Sequence, residues 1–172
     1  FVPVSELAAL VIQDLVTNVR VYGGFVTGQV SESSAVGIAV LDAFETRVHD
    51  VTIENCRFGI ILVGDNDPLM PYNDQPPINT RVESVICRNN YIGIFGVNDI
   101  HSLLINNECS DNEAGIATVN SVHLFVENCV CAHNQSGGYN FDTTDGVVIV
   151  NSVAQENSAQ GFTFYRSSNA VV

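Results

Sequence analysis

Residues 124–139 read LFVENCVCAHNQSGGY, and the first question they raise concerns Cys129 and Cys131. A Cys-x-Cys pair suggests half of a metal site or two arms of a disulfide network, with Cys56, Cys87 and Cys109 supplying the rest. What the pair is depends on where each residue recurs. The stretch ends on a glycine followed by a bulky residue, and that pairing returns along the chain as Gly37-Ile38, Gly59-Ile60, Gly93-Ile94, Gly115-Ile116, Gly138-Tyr139 and Gly161-Phe162. The intervals are 22, 34, 22, 23 and 23 residues. The long interval holds GDNDPLMPYNDQPPIN (64–79), which reads as an inserted loop over about 64–80. Without the insertion the period is about 22 residues throughout.

Aligning on these glycines brings out further columns. Asn90, Asn112, Asn134 and Asn157 fall three or four residues before the glycine. Ile53, Val82, Leu104, Val126 and Ile149 form an apolar column, and Asn55, Ser84, Asn106, Asn128 and Asn151 a small polar one. After each glycine the chain alternates, as in Ile60/Leu62, Ile116/Thr118, Tyr139/Phe141 and Phe162/Phe164. Period-two alternation marks short strands with one face buried. A unit of this length holds two or three short strands with their turns and has no room for two useful helices. β-Branched residues occupy the strand positions while Asn, Ser and Gly sit at the corners. The expected architecture is therefore all-β: a right-handed parallel β-helix of six to seven coils, each stacked on its neighbours. Residues 1–17 form a cap or lead-in, 18–172 the solenoid. Within SELAALVIQDLV (5–16), Ala8, Val11, Ile12 and Leu15 share a helical face, so a short capping helix is predicted there.

The opening question now has an answer. Cys87, Cys109 and Cys131 fall in one column, with Phe58 expected before them and Ala154 after. Stacked rungs place their Cβ atoms about 4.8 Å apart, whereas a disulfide wants roughly 3.5–4.5 Å. Three thiols in a line also make a poor tetrahedral cage. The column is read as a packed ladder of small apolar side chains. Cys129 belongs to another column, which the alignment assigns to Cys56 three coils earlier.

Composition narrows the function. The chain has nineteen acidic residues against six arginines and no lysine, a net charge of −13. Such a surface repels phosphate backbones, so nucleic acid is not an expected partner. No apolar run approaches the length of a membrane span, and no signal-peptide pattern appears. The chain opens on Phe1 rather than Met, as expected of a fragment of a longer polypeptide or of a processed product.

The segments VTIENCRFGI (51–60), LFVENCVCAHNQSGGY (124–139) and VVIVNSVAQENSAQGF (147–162) resemble the right-handed parallel β-helix repeat proteins of the pectate-lyase-like superfamily. Their usual coil reads apolar-x-apolar-x-Asn-Asn-x-apolar, then Asn, then Gly-apolar. The resemblance covers about residues 18–172 and implies the fold. It does not imply one activity, because that superfamily includes lyases, hydrolases, epimerases, tailspikes, adhesins and structural modules. The polygalacturonase set of Asn-Thr-Asp, Asp-Asp, Gly-His-Gly and Arg-Ile-Lys has no match here, and the lyase Arg-x-Pro does not occur.

The insertion is the leading candidate site. Asp65, Asp67 and Asp74, with Asn66 and Asn73, offer oxygen ligands to Ca²⁺ or a carboxylate pair to a sugar, while Met70 and Tyr72 offer apolar surface for stacking. The plain alternative is a solvated loop stiffened by Pro68, Pro71, Pro76 and Pro77. His101 and His123 fall one coil apart in an outward column, with Asp50 expected two coils earlier, and form a weaker metal candidate against a simple surface role. The sequon NQS (134–136) begins on Asn134, a corner-column residue expected to be packed. Arg81, Leu103, Phe125 and Val148 form an outward column, apolar from Leu103 on and flanked by Ile105 and Val150, which suggests contact with the loop or with a second copy of the chain. The preferred expectation is a non-catalytic module of an extracellular, cell-surface or virion-surface protein, displaying the loop to a glycan or protein. A carbohydrate-active enzyme working through Asp65, Asp67 and Asp74, and a purely structural spacer, remain the alternatives.

Overall fold

The computed structural model describes residues 8–12, 17–28, 35–64 and 79–172, and every regular element among them is a β-strand. The first five are β1 Ala8–Ile12, β2 Arg20–Thr27, β3 Val36–Leu41, β4 Arg47–Glu54 and β5 Phe58–Val63. Then follow β6 Arg81–Glu83, β7 Ile86–Arg88, β8 Ile92–Val97, β9 Leu103–Ile105, β10 Glu108–Ser110 and β11 Ala114–Val119. The last six are β12 Phe125–Glu127, β13 Val130–Ala132, β14 Tyr139–Asp142, β15 Val148–Val150, β16 Val153–Gln155 and β17 Phe162–Tyr165. One sheet runs β1-β3-β5-β8-β11-β14-β17 and the other β15-β12-β9-β6-β4-β7-β10-β13-β16, with β2 also on β4. All of these pairings are parallel. The chain is a parallel solenoid. From β3 to β17 it makes about five turns of about 23 residues, slightly fewer than the six or seven coils expected.

Turns repeat as strictly as strands. Among the described residues twenty non-glycine residues have positive φ, and they fall into four columns of five. One column is Asn18, Glu45, His101, His123 and Asn169; the next is Asp50, Ser84, Asn106, Asn128 and Asn151. The third is Asn55, Asn89, Asp111, His133 and Glu156, and the fourth Asp42, Asn98, Asn120, Thr143 and Arg166. A left-handed residue costs about 1–2 kcal/mol unless it is Gly, Asn or Asp. Fifteen of the twenty are Asn, Asp or His, the residue types that tolerate this conformation best. The corner chemistry in the sequence is thus a direct record of backbone geometry.

One register assignment changes. β4 pairs through Val48 with Val82 and through Ile53 with Cys87. The rung before Cys87 is therefore Ile53, not Phe58, which pairs with Ile92. Likewise Asp50, not Asn55, stands above Ser84, and Val51 rather than Cys56 heads the Cys129 column. All these corrections are one five-residue slip. The insertion lies between β5 and β6, ahead of the whole remaining coil, so every rung is displaced by the same 34 residues as Gly93 from Gly59. The N-terminus is corrected too. Ala8–Ile12 is strand, not helix, paired in parallel with Val36–Val40, because β3 offers edge N–H and C=O groups that a strand satisfies and a helix does not. Leu15 lies outside the described residues.

The core explains the cysteines. Cys87, Cys109 and Cys131 are in register, fully buried and free, and Ala154 continues the file. They face the glycine column. A Cβ on Gly59 would lie 2.9 Å from Cys87 Sγ, and one on Gly115 2.7 Å from Cys131 Sγ. Small thiols and glycines thus fit each other, and the ladder is packing. Beside it, Asn112 Nδ2 donates to Cys87 O at 3.0 Å, and Asn112 Oδ1 accepts from Asn90 N at 2.8 Å. Asn134 repeats this with Cys109 O and Asn112 N, and Asn157 with Cys131 O and Asn134 N. Each amide satisfies corner backbone groups that no strand reaches. Cys56 heads this file, its N–H donating to Asn90 Oδ1 at 2.9 Å. A second ladder serves the next corner. Val85 N donates to Asn107 Oδ1 at 3.0 Å, Asn107 N to Cys129 Sγ at 3.5 Å, and Cys129 N to Ser152 Oγ at 3.1 Å. Cys129 therefore holds an acceptor's place. The sequon's Asn134 is fully buried, as expected.

Two predictions follow from strain and burial. Among the described residues Thr143 is the one β-branched residue in a left-handed corner (φ 52°), whereas Asn120 holds the preceding rung. Thr143→Asn should stabilise the fold by about 1 kcal/mol, read as a higher denaturation midpoint; an unchanged or lower midpoint would contradict the strain. Asp99 is the one acidic side chain buried among the described residues. Desolvation pushes its carboxyl up to about 6, against the opposing bond from Ser102 Oγ at 2.7 Å. Below about pH 4 it is neutral whether folded or not. Between about 4 and 6 the folded chain keeps a proton that the unfolded chain has released, so stability falls as pH rises and stays lower above 6. The loss is on the order of 2–3 kcal/mol. Asp99→Asn should match the wild type at about pH 4 and exceed it at about pH 8 in urea midpoint; equal midpoints at both pH values would show that the buried charge carries no penalty.

Candidate functional site

Asp65, Asn66, Asp67, Met70, Tyr72, Asn73 and Asp74 lie outside the described residues. Their frame is described. β5 ends at Val63, Gly64 N donates to Val97 O at 3.0 Å, and the chain resumes at Thr80 and Arg81, whose N–H donates to Thr46 O at 2.8 Å. The insertion thus leaves from the end of the seven-stranded sheet and rejoins at the start of the other.

The outer face of β6 carries a file of outward side chains. Arg20 pairs with Arg47, Arg47 with Arg81, Arg81 with Leu103, Leu103 with Phe125, and Phe125 with Val148. Val171 bridges to Val148 and is 61% exposed. The inward neighbours Val48, Val82, Leu104, Val126 and Ile149 are buried, so the outward assignment of Leu103, Phe125 and Val148 holds. The file changes character along its length, from three of the chain's six cations to four apolar side chains. Glu83 joins two of the cations, accepting from Arg47 Nη2 at 2.5 Å and Arg81 Nε at 2.9 Å. Those bonds, the Arg81 one first, hold its carboxyl down at about 2. In the same adjacent file Tyr22 stacks on His49 at 5.6 Å between centroids. The sequence placed Arg81 in this file but missed Arg20 and Arg47; an offset of 34 across the insertion is the signal that finds Arg47.

A third facet carries Ile86, Val130 and Val153, each at least 36% exposed, with the Glu54–Arg88 ion pair beside Ile86. At β3, β5 and β8 the outer face of the seven-stranded sheet is also apolar. Val36, Ala39 and Ile61 are buried there, with Leu41, Phe58, Val63 and Phe95 against them and the two phenylalanines stacked at 5.1 Å. The uninterrupted runs VGIAVL and FGIILV carried this signal, since strands covered on both faces do not alternate.

His101 and His123 do meet. Their rings are parallel at 4.8 Å between centroids, and His123 Nδ1 and His101 Nε2 share a hydrogen bond of 2.9 Å. Asp50 stands elsewhere, at the rung of Ser84; the rung after His123 is Gly146, and its neighbour Asp145, which pairs with Val122, accepts on its backbone O from His123 N at 2.7 Å. Among the described residues no three or more His, Cys, Asp or Glu side chains converge on a metal position. The ladder residues Cys87, Cys109, Cys131, Asn90, Asn112 and Asn134 are buried and structural, and Asn157 completes the file.

No helix among the described residues is long and apolar enough to cross a membrane. No curated protein and no solved structure matches the chain. The family model of the right-handed β-helix region matches residues 36–172, the stretch that holds β3 to β17 and all the ladders. With its parallel register, left-handed corners and stacked amides, the chain belongs to the right-handed β-helix family.

Proposed function

We propose that this chain is a non-catalytic recognition module, whose contact surface is the outer file from Arg20 to Val148 together with the 64–80 insertion beside it. The observation that supports this most directly is the file itself. Rung pairing fixes the spacing of Arg47, Arg81, Leu103, Phe125 and Val148, so they form a pre-ordered surface of cations continuing into apolar groups. Ordered contacts lose little entropy on binding. Guanidinium groups recognise carboxylates in planar fashion, and an adjacent apolar strip suits a protein surface or the flat face of a sugar. In this reading the insertion, which rejoins the described chain next to Arg81, offers its acidic residues and Tyr72 to the same ligand. In this role the solenoid is the support and its outward side chains make the contact.

Phe125→Asp tests the surface, with Val126→Asp as its inward control. Phe125→Asp should leave the circular dichroism and denaturation midpoint close to wild type, whereas Val126→Asp should not fold. A wild type that sediments as an oligomer, with Phe125→Asp a folded monomer, identifies a second copy as the occupant. Loss of retention on immobilised neutral and acidic oligosaccharides, with sedimentation unchanged, identifies a glycan. If Phe125→Asp alters neither sedimentation nor retention, this surface is not the contact. New reducing ends released from those oligosaccharides, and abolished by Asp65→Asn, Asp67→Asn or Asp74→Asn, would replace recognition by catalysis.

A further inference from the structure

We propose that a second copy of this chain covers the outer face of β6, β9, β12 and β15, the two solenoids lying side by side and parallel about a two-fold axis along their length. This rests on the reading of that face as the contact surface, and it names the occupant. The face is two files wide. Beside the file from Arg20 to Val148 runs a second one, Tyr22, His49, Glu83, Ile105, Glu127 and Val150. On each strand the two outward residues flank one inward residue, and from Val48 to Ile149 that inward residue is buried. A two-fold axis along the solenoid keeps each rung level with the same rung of the other copy and exchanges the two files. Residues that share a rung in one chain therefore meet across the interface.

The two files complement each other rung by rung. Arg81 meets Glu83 of the other copy, the same two residues that already pair within the chain. Leu103 meets Ile105, and Val148 meets Val150. Arg20 meets Tyr22, whose exposed ring takes a guanidinium on its face. Phe125 lies against the methylenes of Glu127, and Arg47 against His49. No rung sets two acids or two arginines opposite each other, and the symmetry makes every contact twice. An axis along the strands would instead keep the files and reverse the rungs. Centred on Leu103 it sets Glu83 against Glu127; centred between Leu103 and Phe125 it presses Glu127 onto Ile105. Either arrangement brings like charges together or strips a carboxylate of water without a partner. Charge complementarity thus selects the parallel pair. It also places three arginines at the contact, where they offset the repulsion between two chains of net charge −13. From Arg20 to Val148 the strip is about 24 Å long, at about 4.8 Å per rung. A strip that narrow sits at the small end of specific interfaces, so the dimer is reversible.

The test is sedimentation velocity of the full chain over a concentration series, followed by charge-reversal variants alone and mixed. The wild type should show a concentration-dependent equilibrium between monomer and dimer. Arg81→Glu alone sets acid against acid across the axis, and Glu83→Arg alone sets arginine against arginine. Each should weaken the dimer by about tenfold or more. An equal mixture of the two variants restores opposite charges at the contact, so it should sediment as a dimer where neither variant does alone. That rescue requires the pair between chains, because the Arg81–Glu83 pair within each chain stays broken in the mixture. The double variant Arg81→Glu/Glu83→Arg should dimerise as the wild type does. If either charge variant loses the wild-type circular dichroism, Leu103→Glu and Ile105→Arg take their place in the same mixing experiment. A wild type that stays monomeric throughout the series, or a mixture no more dimeric than its components, overturns the proposal. Loss of oligosaccharide retention in Phe125→Asp would then leave the contact surface standing with a glycan as its occupant, whereas unchanged retention would remove both.

Discussion

In-register parallel stacking is the constraint on which everything else in this chain depends. Each residue lies directly above and below its equivalents, about 4.8 Å away along the solenoid. Whatever one coil requires at a position, the next coil requires too. A corner that turns left-handed in one coil does so in its neighbours, which is why the twenty non-glycine positive-φ residues among the described ones sort into four columns of five. A position that faces glycine across the core must stay small in successive coils, and Cys87, Cys109, Cys131 and Ala154 obey that rule.

Stacking leaves one problem that strands do not solve. At each corner the backbone departs from the sheet, and its inner N–H and C=O groups are cut off from water. Asn90, Asn112, Asn134 and Asn157 solve it at one corner, each amide donating to a carbonyl about a coil earlier and accepting from the neighbouring N–H. Asn107, Cys129 and Ser152 solve it at another with unlike chemistry. The interior tolerates a weak thiol acceptor there because a poor hydrogen bond is still better than a buried group with none. Loss of a ladder amide should therefore cost more than loss of a ladder thiol.

With the inward positions committed to packing and the corners to geometry, variation is left to outward side chains and to insertions. The chain uses both at one place. The 64–80 segment interrupts the coil between β5 and β6, and the face it rejoins carries the arginine file that gives way to Leu103, Phe125 and Val148. The histidine pair is a second product of the same rule. Two residues far apart in sequence are brought within a hydrogen bond because they hold one corner in adjacent coils.

The sequence by itself determined the solenoid, its period, the buried amide and thiol files from Cys87 and Asn90 onward, and the outward file from Arg81. All of these lie downstream of the insertion, where equal spacing makes register a matter of counting. It did not determine register across the insertion. A loop of unknown path can be removed before either β6 or β7, and the two choices differ by five residues; only the pairing of Val48 with Val82 and of Ile53 with Cys87 decides between them. For the same reason Arg47 joined the cation file, and Val51 took the place of Cys56 in the Cys129 column, only in the folded chain. The first rung was also a tertiary decision. ALVI suits a helical face as well as a strand, and the open edge of β3 selected the strand by supplying its hydrogen bonds.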